Sequence, residues 1–260
     1  AKSMQALGAK VDRTGPFAWA VRGVGVAGFA QPSAPLDFGN SGTGCRLVMG
    51  AVAGCPVTAT FDGDASLRSR PMRRILDPLE LMGARAGEAR EGGRLPLTLH
   101  GARDPLPITY RTPVASAQIK SAVLLAGLAA PGVTTVIESE ASRDHTELML
   151  KHFGADIVSA KEGTHGRKIS LVGEPELHGA EVIVPADPSS AAFVIAAAVL
   201  VPGSRIVVRD CGVNWTRVGF LRILERMGGI VLGDLESPPG PGEHAVPTEE
   251  PLSDLDVAHG

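Results

Sequence analysis

The residues able to do chemistry concentrate at helix entrances. The run Asp37-Phe38-Gly39-Asn40-Ser41-Gly42-Thr43-Gly44 leads straight into an apolar helical stretch that starts at Cys45 and ends at Ala53. Asn40, Ser41 and Thr43 can cap that helix, and the glycines let a ligand approach the backbone. Free N–H groups at a helix start, reinforced by the macrodipole, attract phosphate or carboxylate. A tight strand-to-helix turn without a ligand would use the same residues. No Lys follows the glycines, so the nucleotide P-loop pattern is not met. Further on, Arg68, Arg70, Arg73 and Arg74 crowd the start of a helix that Pro71 is expected to initiate. Cations are unfavourable over the positive end of a helix dipole, and an anion gripped by guanidinium forks removes the conflict. The corresponding helix entries of other segments carry Arg143 and Arg217. Several anion contacts are therefore expected to converge on one cleft. Finally, Ser116, Gln118, Lys120 and Ser121 lie at another helix entrance, where hydroxyl and amide groups can bond a polyol or phosphate. Ser116 can equally serve as an ordinary cap.

Other chemistry is not supported. Gly23-Val-Gly-Val-Ala-Gly28 matches GxGxxG, but the prolines at 32 and 35 prevent the helix that dinucleotide binding requires. His145 and His152 are the one histidine pair with any regular spacing, and they read as ordinary surface. No nucleophile–base arrangement and no metal-ligand spacing is present, and no cofactor is implied. The three cysteines, Cys45, Cys55 and Cys211, form no zinc pattern, and their odd number suits a reducing cytoplasm. A net charge of −3 over 260 residues argues against a nucleic-acid or membrane-surface binder. The longest apolar run falls short of the ~18 residues of a membrane span. With 44% hydrophobic residues the chain is too apolar for disorder.

The elements that must position these residues follow a repeat. Helical segments close on Gly8, Gly83, Gly154 and Gly228, at intervals of 75, 71 and 74 residues. Glycine suits the left-handed position that ends many helices. The apolar faces read Met72, Ile75, Leu76, Leu79 and Met82 in one copy, and Phe220, Leu224 and Met227 in another. Each complete interval holds a second helix, over 44–53, 116–129 and 188–200, followed by a strand over 57–61, 133–138 and 205–209. Asp187 before Pro188 reads as an N-cap with proline in the first turn. The helix over 188–200 is apolar nearly all round and is expected to be buried. The expectation is an α/β fold tiled from strand–helix–strand–helix–strand–strand units of about 73 residues. Neighbouring units are expected to pack their helices together. Met4 and Leu7 ahead of Gly8 read as the last turns of a helix that begins before Ala1, so the chain is expected to be a fragment, with no charged-then-apolar leader at its front.

On these motifs the chain resembles the 5-enolpyruvylshikimate-3-phosphate synthase family, especially its second class. LDFGNSGTGCRLVMG, FDGDASLRSRPMRRIL, TPVASAQIKSAVLLAGL and SRDHTE match in order and spacing across essentially all 260 residues. The resemblance implies βαβαββ units of the enolpyruvyl transferase (inverse α/β barrel-like) fold in two lobes. Residues 1–180 would form most of one lobe and 181–260 the first unit of the other. It implies transfer of the enolpyruvyl group from phosphoenolpyruvate to the 5-hydroxyl of shikimate 3-phosphate with release of phosphate, as in aromatic amino acid and chorismate biosynthesis. Ser116, Ala117, Gln118 and Arg143 would hold shikimate 3-phosphate; Gly42, Arg70 and Gln118 would line the phosphoenolpyruvate pocket. Several fixed cations would offset the repulsion of two anionic substrates. The family's proton-transfer groups match no residue here, so the fragment is expected to bind without turnover, and a complementing chain is a candidate partner. Gly42 stands where some second-class members carry Ala, which implies a roomier pocket, open to the herbicide glyphosate. The related UDP-N-acetylglucosamine enolpyruvyl transferases carry a loop cysteine that has no counterpart here. A noncatalytic anion-binding module is the expectation from outside the enzyme class.

Overall fold

A computed structural model of the chain describes residues 1–240 and 246–260. Its elements repeat one order. A leading piece consists of helix α1 (Lys2–Ala6) and a hairpin of strands β1 (Lys10–Arg13) and β2 (Trp19–Arg22). No helix follows Gly23–Gly28, so the dinucleotide reading has no support. The first complete unit runs β3 (Leu36–Asp37), α2 (Gly42–Ala53), β4 (Thr58–Asp62), the short α3 (Ala65–Ser69), α4 (Arg73–Leu81), β5 (Arg85–Arg90) and β6 (Arg94–His100). The second runs β7 (Thr109–Arg111), α5 (Ala117–Gly127), β8 (Val133–Glu138), α6 (His145–His152), β9 (Ile157–Glu162) and β10 (Gly166–Val172). The third runs α7 (Pro188–Leu200), β11 (Arg205–Gly212), α8 (Gly219–Arg226), β12 (Ile230–Leu232) and β13 (Leu252–Ala258).

The sheets share one topology. Their orders are β3-β4-β6-β5, β7-β8-β10-β9 and β11-β13-β12. In the first two, the opening pair is parallel and the others antiparallel. In the third, a parallel bridge from Ala186 to Cys211 takes the place of the opening strand. Gly8, Gly83, Gly154 and Gly228 all lie at φ between 94° and 102°, the left-handed conformation that a β-carbon resists. The repeat therefore ends each amphipathic helix in one way.

Packing explains where the elements sit. Met72, Ile75, Leu76, Leu79 and Met82 turn inward with Phe61, Leu97, Ile119 and Val123 in a large apolar cluster. Gly50 on α2 faces the α5 backbone: a β-carbon there would lie 2.3 Å from the Ala122 carbonyl oxygen. That absence of a side chain lets α2 and α5 lie together, as the expected helix-on-helix packing requires. A second apolar cluster gathers Ile195, Cys211, Leu221, Leu224, Leu255 and Val257.

Three expectations are corrected. Pro71 does not initiate the arginine-bearing helix: α3 ends at Ser69, Arg70 is extended at ψ 131°, and α4 begins at Arg73 behind Met72. The residue before a proline is pushed out of the helical region, which is why the helix breaks there. Helix α7 is not buried all round; Ile195 and Ala198 are, whereas Phe193 is 82% exposed. It packs one face on β11 and β13 and nothing in the described residues covers the other. On α8 the inward residues are Leu221 and Leu224, with Met227 76% exposed, because the sheet meets only one flank of a wide apolar face.

Gly50→Ala is expected to destabilise the chain by about 2 kcal/mol, as overpacking against a rigid backbone does. Urea denaturation would measure it against Gly23→Ala, whose new methyl meets nothing within 4 Å. Equal midpoints for the two variants would refute the close approach.

Candidate anion-binding site

The sequence after β3 turns sharply through Gly39, at φ 53°, and enters α2 at Gly42. Ser41 caps the helix, accepting a hydrogen bond from the Gly44 amide at 3.3 Å. The Asp64 carboxylate caps α3 through the Leu67 amide at 2.8 Å and accepts from Asn40 Nδ2 at 2.8 Å. Asn40 Oδ1 in turn accepts from Arg70 Nη2 at 2.8 Å, and Ser66 Oγ lies 3.2 Å from the same nitrogen. The break between α3 and α4 thus aims Arg70 back over the start of α2. A β-carbon on Gly42 would stand 2.8 Å from Arg70 Nη1 and 3.4 Å from Arg46 Nη1.

Ion pairing sorts the arginines. Arg68 is a bidentate partner of Asp62, at 2.7 and 2.6 Å. Arg73 pairs with Asp77 at 2.5 Å and Glu80 at 2.8 Å along its own helix. Arg217 pairs with Asp187 at 3.0 Å and donates to Ser189 Oγ, so it is not a free anion contact. Among the described residues, Arg70, Arg74 and Arg143 have no carboxylate partner.

Sequence reasoning missed Arg46. It is only 6% exposed, donates from Nη1 to Gln118 Oε1 at 2.7 Å, and leaves its buried Nε without a partner. Burial holds its pKa below the ordinary guanidinium value, and the Arg74 and Arg70 charges push the same way. A signal existed: Arg46 follows Gly42 by four residues and so shares its helix face. Gln118, from α5, completes the link by donating from Nε2 to Thr43 Oγ1 at 2.9 Å. Gly42, Arg70 and Gln118 are therefore brought together from three elements, with Arg46 between them. The arrangement has a cationic surplus, several N–H donors and a glycine wall, which is suited to a phosphate or carboxylate.

Ser116 and Ala117 stand beside Gln118 at the α5 entrance. Ser116 makes no side-chain cap bond, which removes the plain capping account and leaves its hydroxyl for another partner. Arg143 stands at the entrance of α6, and among the described residues no hydrogen bond or ion pair joins it to Arg70 or Gln118. It is joined to α5 indirectly: Ser121 Oγ lies 2.6 Å from Thr146 Oγ1, and Ser142 donates to Glu138. Glu138 and Glu147 enclose Lys120 at 2.9 and 2.7 Å. Lys120 does not belong to a polar helix side with Gln118 and Ser121; it is 1% exposed. Burial alone would lower its pKa, but Glu147 and Glu138 outweigh that and keep it protonated. His145 and His152 are partly exposed, and His152 Nε2 lies 2.8 Å from the Glu181 carbonyl oxygen. Among the described residues no group of three or more His, Cys, Asp and Glu is arranged to hold a metal ion. No helix there is long and apolar enough to cross a membrane.

Comparisons with known proteins agree with this architecture. The family model described as EPSP synthase (3-phosphoshikimate 1-carboxyvinyltransferase) matches residues 1–258. A 3-phosphoshikimate 1-carboxyvinyltransferase of Bradyrhizobium diazoefficiens is 77% identical over 231 residues, covering 89% of this chain and 49% of that protein. One of Rhodopseudomonas palustris is 76% identical, covering 88% and 52%. EPSP synthase of Acinetobacter baumannii superposes with a TM-score of 0.83 at 38% identity, covering 99% of this chain and 55% of that one. The enolpyruvyl transferase NikO of Streptomyces tendae shares the fold at a TM-score of 0.65 and 19% identity. The chain spans about half the length of the curated relatives it matches. It belongs to the EPSP synthase family, the 3-phosphoshikimate 1-carboxyvinyltransferases.

Proposed function

We propose that the protein containing this chain transfers the enolpyruvyl group of phosphoenolpyruvate to the 5-hydroxyl of shikimate 3-phosphate, releasing phosphate. The 5-hydroxyl gives up its proton as its oxygen bonds to the enolpyruvyl carbon, and the methylene carbon takes a proton in turn. Loss of phosphate and of a proton from that carbon then restores the double bond. On this reading Ser116, Ala117, Gln118 and Arg143 hold shikimate 3-phosphate, Ala117 through its backbone. Gly42, Arg70 and Gln118 line the phosphoenolpyruvate pocket. One observation carries the proposal: Arg46, bonded to Gln118, and Arg70 flank Gly42, and among the described residues neither forms an ion pair with a carboxylate, Arg70 reaching Asp64 only through Asn40. Fixed cations of this kind offset the repulsion between two phosphorylated anions and stabilise charge as phosphate leaves.

The relatives are about twice as long, so this chain is assigned binding and the whole protein is assigned turnover; the remaining half is the complementing partner. Apart from Val246, which joins the first, the two apolar clusters draw on residues before and after about 180, which supports a division into lobes there; 241–245 lie outside the described residues. A reducing cytoplasmic setting accords with three buried free cysteines.

Titration calorimetry of the chain with shikimate 3-phosphate, then phosphoenolpyruvate, tests the assignment. Binding of both is expected, and phosphate release only once the rest of the protein is supplied. Binding that never leads to release under complementation would favour a noncatalytic anion-binding module, and binding of neither would refute the site.

Arg46→Met is expected to weaken phosphoenolpyruvate binding about thirtyfold, about 2 kcal/mol, the loss typical of a hydrogen bond to a charged group. Unchanged affinity would remove Arg46 from the site. Gly42→Ala places a methyl 2.8 Å from Arg70 Nη1 and must displace that guanidinium. A loss of glyphosate affinity exceeding that of phosphoenolpyruvate is expected, and equal affinity of both forms for glyphosate would contradict it.

A further inference from the structure

Asp144 stands at the N-cap position of α6, where an Asp ordinarily turns its carboxylate onto the first amides of its own helix. Here the side chain makes no cap bond. Oδ1 instead accepts from Asn214 Nδ2 at 2.8 Å and Oδ2 from Trp215 Nε1 at 3.1 Å, partners 70 and 71 residues further along. Each carboxylate oxygen thus accepts a hydrogen bond from the third unit and none from the amides of the helix that Asp144 begins, where Oδ1 lies 3.8 Å from His145 Nδ1.

The receiving turn is stiff. Asn214 is buried, and its Oδ1 accepts from the Thr216 amide at 2.9 Å and Thr216 Oγ1 at 2.6 Å. The Trp215 amide donates to Glu236 Oε2 at 2.8 Å, and the Arg167 guanidinium lies 5.8 Å from the centre of the indole. The near side is stiff as well, because Ser142 is held by Glu138, which shares Lys120 with Glu147. Arg143 lies in the short span between these anchors. Ser142, Asp144, Glu147, Arg167, Trp215 and Glu236 line a cavity of about 170 Å³ between these anchors. Burial would raise the Asp144 pKa, yet His145, Asn214, Trp215 and the Lys120 charge bring it below the ordinary carboxylate value. The carboxylate is therefore charged at neutral pH.

We infer that Asp144 is a positioning residue: its carboxylate, diverted from its own helix, ties the Arg143 segment to the Asn214–Trp215 turn, so that a ligand held by Arg143 is felt at Trp215. The ligand side rests on the shikimate 3-phosphate reading above; the tie itself does not. A carboxylate that merely satisfied two buried donors would affect folding but would not couple to Arg143.

The chain has two tryptophans, Trp19 and Trp215, so Trp19→Phe leaves Trp215 as the sole indole reporter. In that background Asp144→Ala is expected to shift Trp215 emission to longer wavelength, while Asp144→Asn, which can still accept one donor, retains most of the parent spectrum. An emission spectrum indifferent to Asp144→Ala overturns the tie. Shikimate 3-phosphate is expected to change the parent's emission with the midpoint found by calorimetry. Asp144→Ala should weaken that binding about tenfold, yet less than twofold when Arg143→Ala is already present. Fully additive losses overturn the positioning role. Should Asp144→Ala not fold, the same cycle is run with Asp144→Ser, which can cap α6 but is one atom too short to hold both Asn214 and Trp215, and is read by the same criterion. Calorimetry showing no binding in the parent refutes the substrate assignment alone, and the emission comparison still decides the tie.

Discussion

A guanidinium buried without a carboxylate beside it is the constraint on which the site depends. Removing a charge from water is costly unless a counter-charge and hydrogen bonds replace the lost hydration. Arg46 receives one good acceptor, Gln118, and two further arginines press on it. The neighbouring arginines that do have partners show the contrast: Arg68, Arg73 and Arg217 are each matched by acids within reach. What sets the junction of α2, α5 and the break before α4 apart is that its unmatched guanidinium, Arg46, is buried. An anion bound there supplies the missing counter-charge, so binding and relief of an unfavourable interaction are the same event.

That junction exists only because two helices approach to backbone distance. Gly50 against Ala122 and Gly54 against Ala126 bring α2 onto α5, and this carries Gln118 to Thr43 and Arg46. The repeat does the rest. β3 leads into α2 and β7 into α5, so equivalent helix starts come from equivalent places in successive units. Their polar loops, Asn40–Thr43 and Ser116–Gln118, are then free to face a common ligand. The large apolar cluster beneath, with Phe61 and the α4 stripe, fixes the geometry that the unmatched charges would otherwise loosen.

Much of this was legible in the residues. The glycine spacing and the apolar stripes reveal the repeated unit because helix ends and core faces have strong local signatures. Gly42, Arg70 and Gln118 stand out because polar residues at helix starts are chemically conspicuous. Arg46 does not, since it lies in a run of small and apolar residues, and the burial of Lys120 is equally hidden because it depends on Glu138 and Glu147 from later elements. The Pro71 break and the diverted Asp144 escape notice for a related reason: local rules place a helix start or a cap there, and a tertiary partner overrides them. The wide apolar faces of α7 and α8 mislead in the opposite direction, because periodicity reports which residues are apolar and not how many of them this chain covers.

Side-chain NMR of the arginine Nε–Hε groups tests the unmatched-charge account most directly. With Arg46, Arg70 and Arg143 assigned by single substitutions, addition of shikimate 3-phosphate and phosphoenolpyruvate is expected to shift the Arg46 and Arg70 Hε signals downfield and slow their exchange with water. The signals of the acid-paired Arg68 and Arg217 should stay in place. Ligand-induced shifts confined to the paired arginines, with Arg46 and Arg70 unmoved, would contradict it.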